Sequence, residues 1–457
     1  MKVLFVNPPV IRSKHSAPEN DFKIDGFVFH PMHRKISHLI RLLHLFGVGR
    51  GVRYGVRAGS RWPWTMEVPH GGPPYPFIMG YAASYLLQNG IKVALIDAVA
   101  EQEYSYPKFL ARVRAEAADI VVVECSTPTI DIDLWIANKI AAFTQVCLAG
   151  PHLTSNAEQI AVKHPAITYL LKGEYIRSAL AMAQTRRPGI YETDVIEDLD
   201  AIPFPFRDYP AATRYFDPTM PTKRPQLQVY ASKGCPFRCT FCMWPQTMYQ
   251  HKVSLRRPER VAEEIRYCVE RYGYRSIFFD DDTFNIGTER IGTLCALLKE
   301  IGLPWTMMGR LDCSPPWLYD KMVDSGCVGM RFGIETFDVD VLRNINKGLE
   351  SQALSEMLGY ISRKYPRLMI HVTMMKDLPG QTETIHRRDM DTLRDLGYST
   401  HNMYRSYQLS ACAPFPGTEM YENMVRKFGA EKLSDFQTYD GGKDTVMKKL
   451  EQARRSE

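Results

Sequence analysis

Along the first part of the chain, short apolar runs alternate with longer stretches whose apolar residues recur at helical spacing. Lys2–Asn7, Ile91–Asp97, Ala118–Glu124, Gln145–Gly150 and Ile167–Lys172 read as strands, and Tyr81–Gln88, Pro107–Ala117, Asp133–Phe143 and Asn156–Lys163 as helices. Nearly continuous apolar strands are buried on both faces, so this alternation predicts a parallel, doubly wound, Rossmann-like α/β sheet. The rhythm stops over 186–223, where Pro188, Pro203, Pro205, Pro210, Pro218 and Pro221 mark an interdomain connection. It then resumes with strands at Gln226–Ala231, Ser276–Asp280, Trp305–Gly309, Val328–Ile334, Met369–Met374 and Tyr404–Leu409. Helices are expected between them at Pro258–Arg271, Thr288–Ile301, Pro316–Ser325, Asp338–Asn344, Ser351–Lys364 and Glu383–Leu396. Six parallel units predict a partial (β/α)6 barrel, an arrangement that places its chemistry at the carboxyl ends of the strands.

The predicted organisation is therefore a first domain over 1–185, a linker over 186–223, a partial barrel over 224–420 and a short extension over 421–457. The first domain is interrupted by a long insertion at about 11–72, a length that suits a functional loop. The insertion carries His30, His33, His38, His44, many arginines, Trp62 and Trp64, and Leu39–Val48 is apolar enough for a short helix packed on the domain or a partner. The two tryptophans either wall a ligand pocket or anchor the insertion.

With 45% hydrophobic and 24% charged residues in 457, the chain is that of a soluble globular protein with room for two domains. A net charge of +6, spread along the chain, does not imply a nucleic-acid partner. No apolar run approaches the roughly 18 residues of a membrane span, and Met1 leads directly into a strand with no signal peptide before it. The expectation is a cytoplasmic protein, in which ten cysteines serve as thiols or metal ligands.

Three of those cysteines, Cys235, Cys239 and Cys242, lie in the loop after the first barrel strand. Soft thiolates at this spacing suit three corners of an iron–sulfur cube, leaving one iron open to bind a small molecule through an amine and a carboxylate. S-adenosylmethionine is held and reductively cleaved in this way. Zinc usually takes four protein ligands, and no second pair or nearby histidine supplies them. Cys125, Cys147, Cys268, Cys295, Cys313, Cys327 and Cys412 read as buried filler, with Cys412 retained as a candidate active-site thiol.

The other predicted strand ends complete the set. Asp281 and Asp282 follow the second strand, Arg310 and Asp312 the third and Glu335 the fourth; Pro379-Gly380 lies in the turn after the fifth. An acidic group can take the S-adenosylmethionine amine, Arg310 its carboxylate and Glu335 the ribose hydroxyls. The run Asp280–Asp282 also has the hard oxygens of a magnesium or calcium site, although consecutive residues cannot all face one ion. In the first domain the strand-end loops are Asn7-Pro8-Pro9, Ser126-Thr127-Pro128-Thr129, Gly150-Pro151-His152 and Gly173-Glu174. Their hydroxyls serve either as helix caps or as partners for the amides and nucleotide tail of a cobalamin. No Asp-x-His-x-x-Gly stretch offers the cobalt a lower-face histidine, so a bound cobalamin would be base-off.

These marks in this order resemble the cobalamin-dependent radical S-adenosylmethionine enzymes over nearly the whole chain. The opening Leu4–Pro9, Asp198–Pro203 in the linker, Asn346-Lys347-Gly348 and Pro414–Thr418 add to the likeness. The stretch Cys239–Thr247 is similar to the subgroup that includes hopanoid-modifying members. The resemblance implies a [4Fe–4S] cluster on Cys235, Cys239 and Cys242, with Phe241 beside the adenine. It also implies Asp281 or Asp282 on the methionine amine, Glu335 on the ribose and Pro379-Gly380 on the adenine side. Cobalamin would lie on the first-domain loops at Asn7, Pro8, Ser126, Thr127, Thr129, Gly150, His152, Gly173 and Glu174. The implied activity is a radical C-methyltransferase: a 5′-deoxyadenosyl radical takes hydrogen from an unactivated carbon, and methylcobalamin supplies the methyl group.

Three other readings share some of the motifs. Cobalamin-dependent cyclisation or ring rearrangement, of hopanoid or tetrapyrrole type, uses the same cofactors without methyl transfer. A methylthiotransferase would need a second cysteine-ligated cluster, for which the N-terminal half has only Cys125 and Cys147. A sensor that binds the cluster without turnover would leave the strand-end groups unused. A flavodoxin- or ferredoxin-type electron donor is the implied partner. Tyr404, Arg405, Tyr407 and Cys412 are candidates to line a pocket for a small molecule, a lipid-linked sugar or a peptide segment.

Overall fold

A computed structural model describes residues 1–9, 11–13, 52–56, 64–66, 72–103, 105–439 and 445–450. The expectations for Leu39–Val48, the four insertion histidines, Trp62 and the Trp64 side chain lie outside the described residues.

The first half is a parallel sheet. Its strands are β1 (Lys2–Asn7), β5 (Lys92–Asp97), β6 (Ile120–Glu124), β7 (Gln145–Ala149), β8 (Tyr169–Leu171) and β9 (Gly189–Tyr191), in the order β5-β1-β6-β7-β8-β9. The insertion adds a small antiparallel sheet of β2 (Ile11–Ser13), β3 (Val52–Val56) and β4 (Trp64–Met66). Side-chain alternation builds the layers. Val3, Phe5 and Val122 share one core with helices Phe77–Gln88 and Ile176–Thr185, while Leu4, Val6, Val121 and Val123 share another with helix Ile130–Ala141. Winding reverses between β1 and β6, which makes the ends of these two strands, at Asn7 and Ser126, the natural crevice for a ligand.

The sixth strand, β9, falls inside the stretch expected to be linker. It is an exposed edge strand, pairing through Lys172 N–H to Tyr191 O at 2.9 Å, so it lacks the continuous apolar run that marks a central strand.

The second parallel sheet runs β10 (Gln226–Val229), β13 (Ser276–Phe279), β14 (Trp305–Gly309), β15 (Cys327–Glu335), β16 (Met369–Lys376) and β17 (Arg405–Ala411), each beside the next. Leu227, Ile277, Met307, Phe332 and Val372 pack outward on the surrounding helices. The alternate residues face the lumen. The connection before β10 closes the lower end, where Met220 is buried against Phe278 and Met369 and Asp217 N–H donates to Gln226 Oε1 at 2.7 Å.

The two halves are joined along β10. Gln228 accepts from Tyr75 N–H at 2.5 Å and from Arg207 Nη2 at 2.6 Å, and Phe77 stacks on Tyr230 with ring centroids 3.7 Å apart. The tail returns to the first sheet, where Gln437 donates to Asp131 at 3.0 Å and Phe436 lies edge-on to His152.

Candidate functional site

The cysteine loop leaves the barrel through β11 (Ser232–Lys233) and returns through β12 (Ser254–Leu255), which pair antiparallel and pinch its base. Gly234 makes the turn at φ +81°, where a Cβ would lie 2.1 Å from Lys252 O, so both backbone and space require glycine.

The loop is held by its backbone, which leaves the thiols to other work. Gly234 N–H donates to Asp282 Oδ2 at 2.9 Å, and buried Asp281 accepts from Ala231 N–H at 3.2 Å and Ser232 Oγ at 2.6 Å. Thr240 N–H donates to Ile345 O at 3.0 Å and Asn346 Nδ2 to Arg238 O at 3.0 Å. The Gln246 amide lies 3.2, 3.2 and 2.8 Å from the carbonyls of Cys239, Thr240 and Cys242, while its oxygen accepts from Glu419 N–H at 2.8 Å. The Arg310 guanidinium stacks on Phe237, between the first two cysteines, with Cζ 3.6 Å from the ring centre. It also donates twice to Asp312, at 3.0 and 2.9 Å, and to Lys347 O at 2.9 Å.

All ten cysteines are free, and Cys235 Sγ lies 3.3 Å from Thr283 Oγ1. Burial pushes the Cys235 and Cys242 thiols above their ordinary range. Among the described residues no three His, Cys, Asp or Glu side chains gather closely enough to hold a single ion. Cys239 and Cys235 raise the Cys242 thiol further, so the three thiols are near neighbours, as three corners of one cube require.

Glu335 ends β15 at a register shift against β16, with a left-handed backbone at φ +69°. A bulge with a strained non-glycine residue re-aims a side chain and recurs at functional sites. The carboxylate turns back to accept from Lys347 Nζ at 3.0 Å, and the pair occupies the space above Gly333, whose Cβ would sit 2.5 Å from Glu335 Oε1. Phe241 packs beside Leu378, next to Pro379-Gly380, in a cluster that also holds Cys412. Cys412 is fully buried with its Sγ 3.4 Å from Met420 Sδ, a packing position.

The structure thus gathers Cys235, Cys239, Cys242, Phe241, Asp281, Asp282, Arg310, Glu335 and Pro379-Gly380 at one end of the barrel. The residues expected on cobalamin lie along the first sheet's carboxyl edge, which abuts this loop: Thr154 Oγ1 donates to Thr247 O at 3.1 Å, in the short helix after Cys242. At the crevice, Ser126 and Thr129 hydroxyls lie 2.9 Å apart, and His152 Nδ1 lies 3.1 Å from Thr127 Oγ1. Burial drives His152 down to about 3, so the imidazole is neutral. Thr129 Oγ1 also donates to Asp133 Oδ2 at 2.8 Å, while the Ser126 and Thr127 hydroxyls keep lone pairs that suit the neutral amides of a corrinoid. Two more expected contacts are committed within the chain. Asn7 donates to Asp97 at 2.7 Å, and Glu174 forms a buried ion pair with Lys233, the residue before Gly234.

Sequence reading assigned no role to Lys233, Gln246 or Lys347. Each is recognisable only by its place beside a motif, at the start of the loop, four residues after Cys242 and inside Asn346-Lys347-Gly348.

Residues 229–393 match the Radical SAM superfamily. An uncharacterized methyltransferase of Pyrococcus horikoshii is 24% identical over 385 residues, covering 78% of this chain and 79% of the relative. The cytidylyl-2-hydroxyethylphosphonate methyltransferase of Streptomyces wedmorensis is 24% identical over 429 residues, covering 77% and 78%. In fold, the chain is similar to TsrM of Kitasatospora setae, a radical S-adenosylmethionine methyltransferase whose structure holds cobalamin and a [4Fe–4S] cluster. The TM-score is 0.58 at 17% identity, over 78% of this chain and 76% of that one.

Proposed function

From a chain whose residues 229–393 match the Radical SAM superfamily, we propose a cobalamin-dependent radical methyltransferase acting on an unactivated carbon. When bound, the cluster with S-adenosylmethionine would supply a 5′-deoxyadenosyl radical, and the corrinoid a methyl group. The observation that carries this reading is the three-thiol loop, fixed by its backbone at the mouth of the barrel and abutting the crevice edge of the first sheet. Two relatives named as methyltransferases, each matched over more than three quarters of its length, support it.

In this reading Cys235, Cys239 and Cys242 hold three irons, and Gln246 and Asn346 keep the loop carbonyls turned away from them. Asp281, whose two oxygens already accept from Ala231 and Ser232, fixes the loop entry, Asp282 faces the methionine end, Glu335 takes the ribose diol, and Phe241 with Pro379-Gly380 bounds the adenine. Ser126, Thr127, Thr129, Gly150, His152 and Gly173 border the corrinoid. Arg310 acts on the loop through Phe237.

The test is anaerobic reconstitution with iron, sulfide and hydroxocobalamin, followed by desalting, iron analysis and the cobalamin spectrum. About four irons and one base-off cobalamin, with the iron lost in Cys239→Ala, is the expected result. In turnover, S-adenosylhomocysteine and 5′-deoxyadenosine should form together. 5′-Deoxyadenosine alone, with retained cobalamin, would move the assignment to cyclisation or rearrangement; iron without retained cobalamin would end the methylcobalamin reading.

A further inference from the structure

Below the mouth, the lumen is lined in rows that the strand register defines. The lowest row is Phe278, Thr306, Gly329 and Met369, sealed by Met220. The next is Met308, Arg331, His371 and Ser406, and above it Gly333, Thr373 and Gln408 lead up to Glu335. The upper rows are polar. His371 Nδ1 lies 2.9 Å from Ser406 Oγ and its Nε2 3.4 Å from Gln408 Oε1, and half-buried Ser406, Gln408 and Ser410 line the open side on edge strand β17.

Arg331 stands out in this wall. It is buried between two glycines, Gly329 filled by Met220 and Thr306 and Gly333 filled by Glu335 and Lys347. Its Nη2 meets Asp217 Oδ1 at 2.6 Å and Thr219 Oγ1, while its Nε–H is buried without an acceptor, and so is Asp217 Oδ2 without a donor. A guanidinium carries five N–H donors in a fork shaped for carboxylate or phosphate, and a buried N–H with no partner is unfavourable. The ion pair therefore uses only part of what this side chain offers. Burial and the neighbouring Arg331 cation lower His371 to about 4, so a neutral imidazole stands beside it as a further hydrogen-bonding group.

Resting on the radical-enzyme reading of the barrel, we propose that Arg331 is the substrate anchor, receiving an anionic group (carboxylate or phosph(on)ate) at the floor of the lumen. Arg331 lies four residues down β15 from Glu335, about 13 Å at the usual rise per residue. The substrate is then an elongated polar molecule, with its acid at the floor and its reacting carbon near the mouth. An apolar polycyclic lipid does not suit a wall of Arg331, His371, Thr373, Ser406 and Gln408.

The test uses the reconstituted holoprotein and three probes: inorganic phosphate, methylphosphonate and succinate. In the wild type, the preferred anion should protect Arg331 from phenylglyoxal, read by peptide mass spectrometry. By calorimetry, Arg331→Gln should bind it at least tenfold more weakly, and Arg331→Lys should fall between, because the ammonium lacks the fork. Asp217→Asn should show the opposite sign: it melts lower, and the anion raises its melting temperature more than it raises that of the wild type. Preference for succinate identifies a carboxylate substrate, and preference for the phosphorus acids a phosph(on)ate. Absence of protection by all three probes, or equal binding by wild type and Arg331→Gln, overturns the proposal. Iron content and uncoupled 5′-deoxyadenosine formation by the wild type report separately on the radical reading.

Discussion

Lys233 and Glu174 form an ion pair in which both side chains are only 1% exposed. Lys233 Nζ also donates to Ile196 O at 2.7 Å, and the other Glu174 oxygen accepts from Ile196 N–H at 2.6 Å. Replacing Lys233 with Met leaves a buried carboxylate with a single hydrogen bond, which costs about 3–5 kcal/mol. Glu174→Met should cost a similar amount, since it strands a buried ammonium. In the double variant no charge remains, and the residual penalty is the unpaired Ile196 N–H and C=O, about 2–4 kcal/mol in all. The singles sum to roughly 6–10 kcal/mol, so the coupling is about 2–8 kcal/mol, a large part of the ~5–15 kcal/mol that holds a typical domain folded. Urea unfolding followed by tryptophan fluorescence reads this as midpoint shifts at constant slope. Iron content should fall in both single variants and recover in the double, because Lys233 leads directly into Gly234. A double variant as unstable as the sum of the singles, within about 0.5 kcal/mol, would refute the reasoning.

Three further outcomes are expected. Gly234→Ala, whose Cβ would meet Lys252 O at 2.1 Å in a left-handed backbone, should lose most of its reconstituted iron, measured colorimetrically; full iron would show that the loop can shift. Gly333→Ala displaces the Glu335 carboxylate, so S-adenosylmethionine affinity by equilibrium dialysis should fall about tenfold, some 1.4 kcal/mol, with iron retained; unchanged affinity removes Glu335 from the ribose site. Burial raises Asp97 to about 6, despite hydrogen bonds from Tyr215 and Asn7. The folded state then binds the extra proton between pH ~4 and ~6, so stability should decline as pH rises through that window, by up to about 3 kcal/mol. Asp97→Asn should flatten the slope in urea unfolding at pH 4.5 and 7.5, and an unchanged slope would assign it to other groups.

Much of this architecture is written in local pattern. Continuous apolar runs such as Ile120–Glu124 specify strands buried on both faces, and their alternation with helices leaves a parallel sheet as the packing solution. The cysteine spacing likewise carries its own chemistry, because three soft ligands in one short loop have few other uses. What local pattern could not convey was which polar groups would meet across sequence. Glu174 and Lys233 lie 59 residues apart, and Asp217 and Arg331 114 apart. Nothing in either neighbourhood announces the partner. Arg310, expected on a ligand carboxylate, is held against Phe237 and Asp312, and Cys412, retained as a thiol of interest, is packed on Met420. Glu335 was visible as a strand-end acid, yet its left-handed backbone and its place over Gly333 depend on the bulge against β16. Element type follows from side-chain periodicity, which is local. The partner of a buried charge follows from which strands become neighbours, and that is decided only when the chain closes on itself.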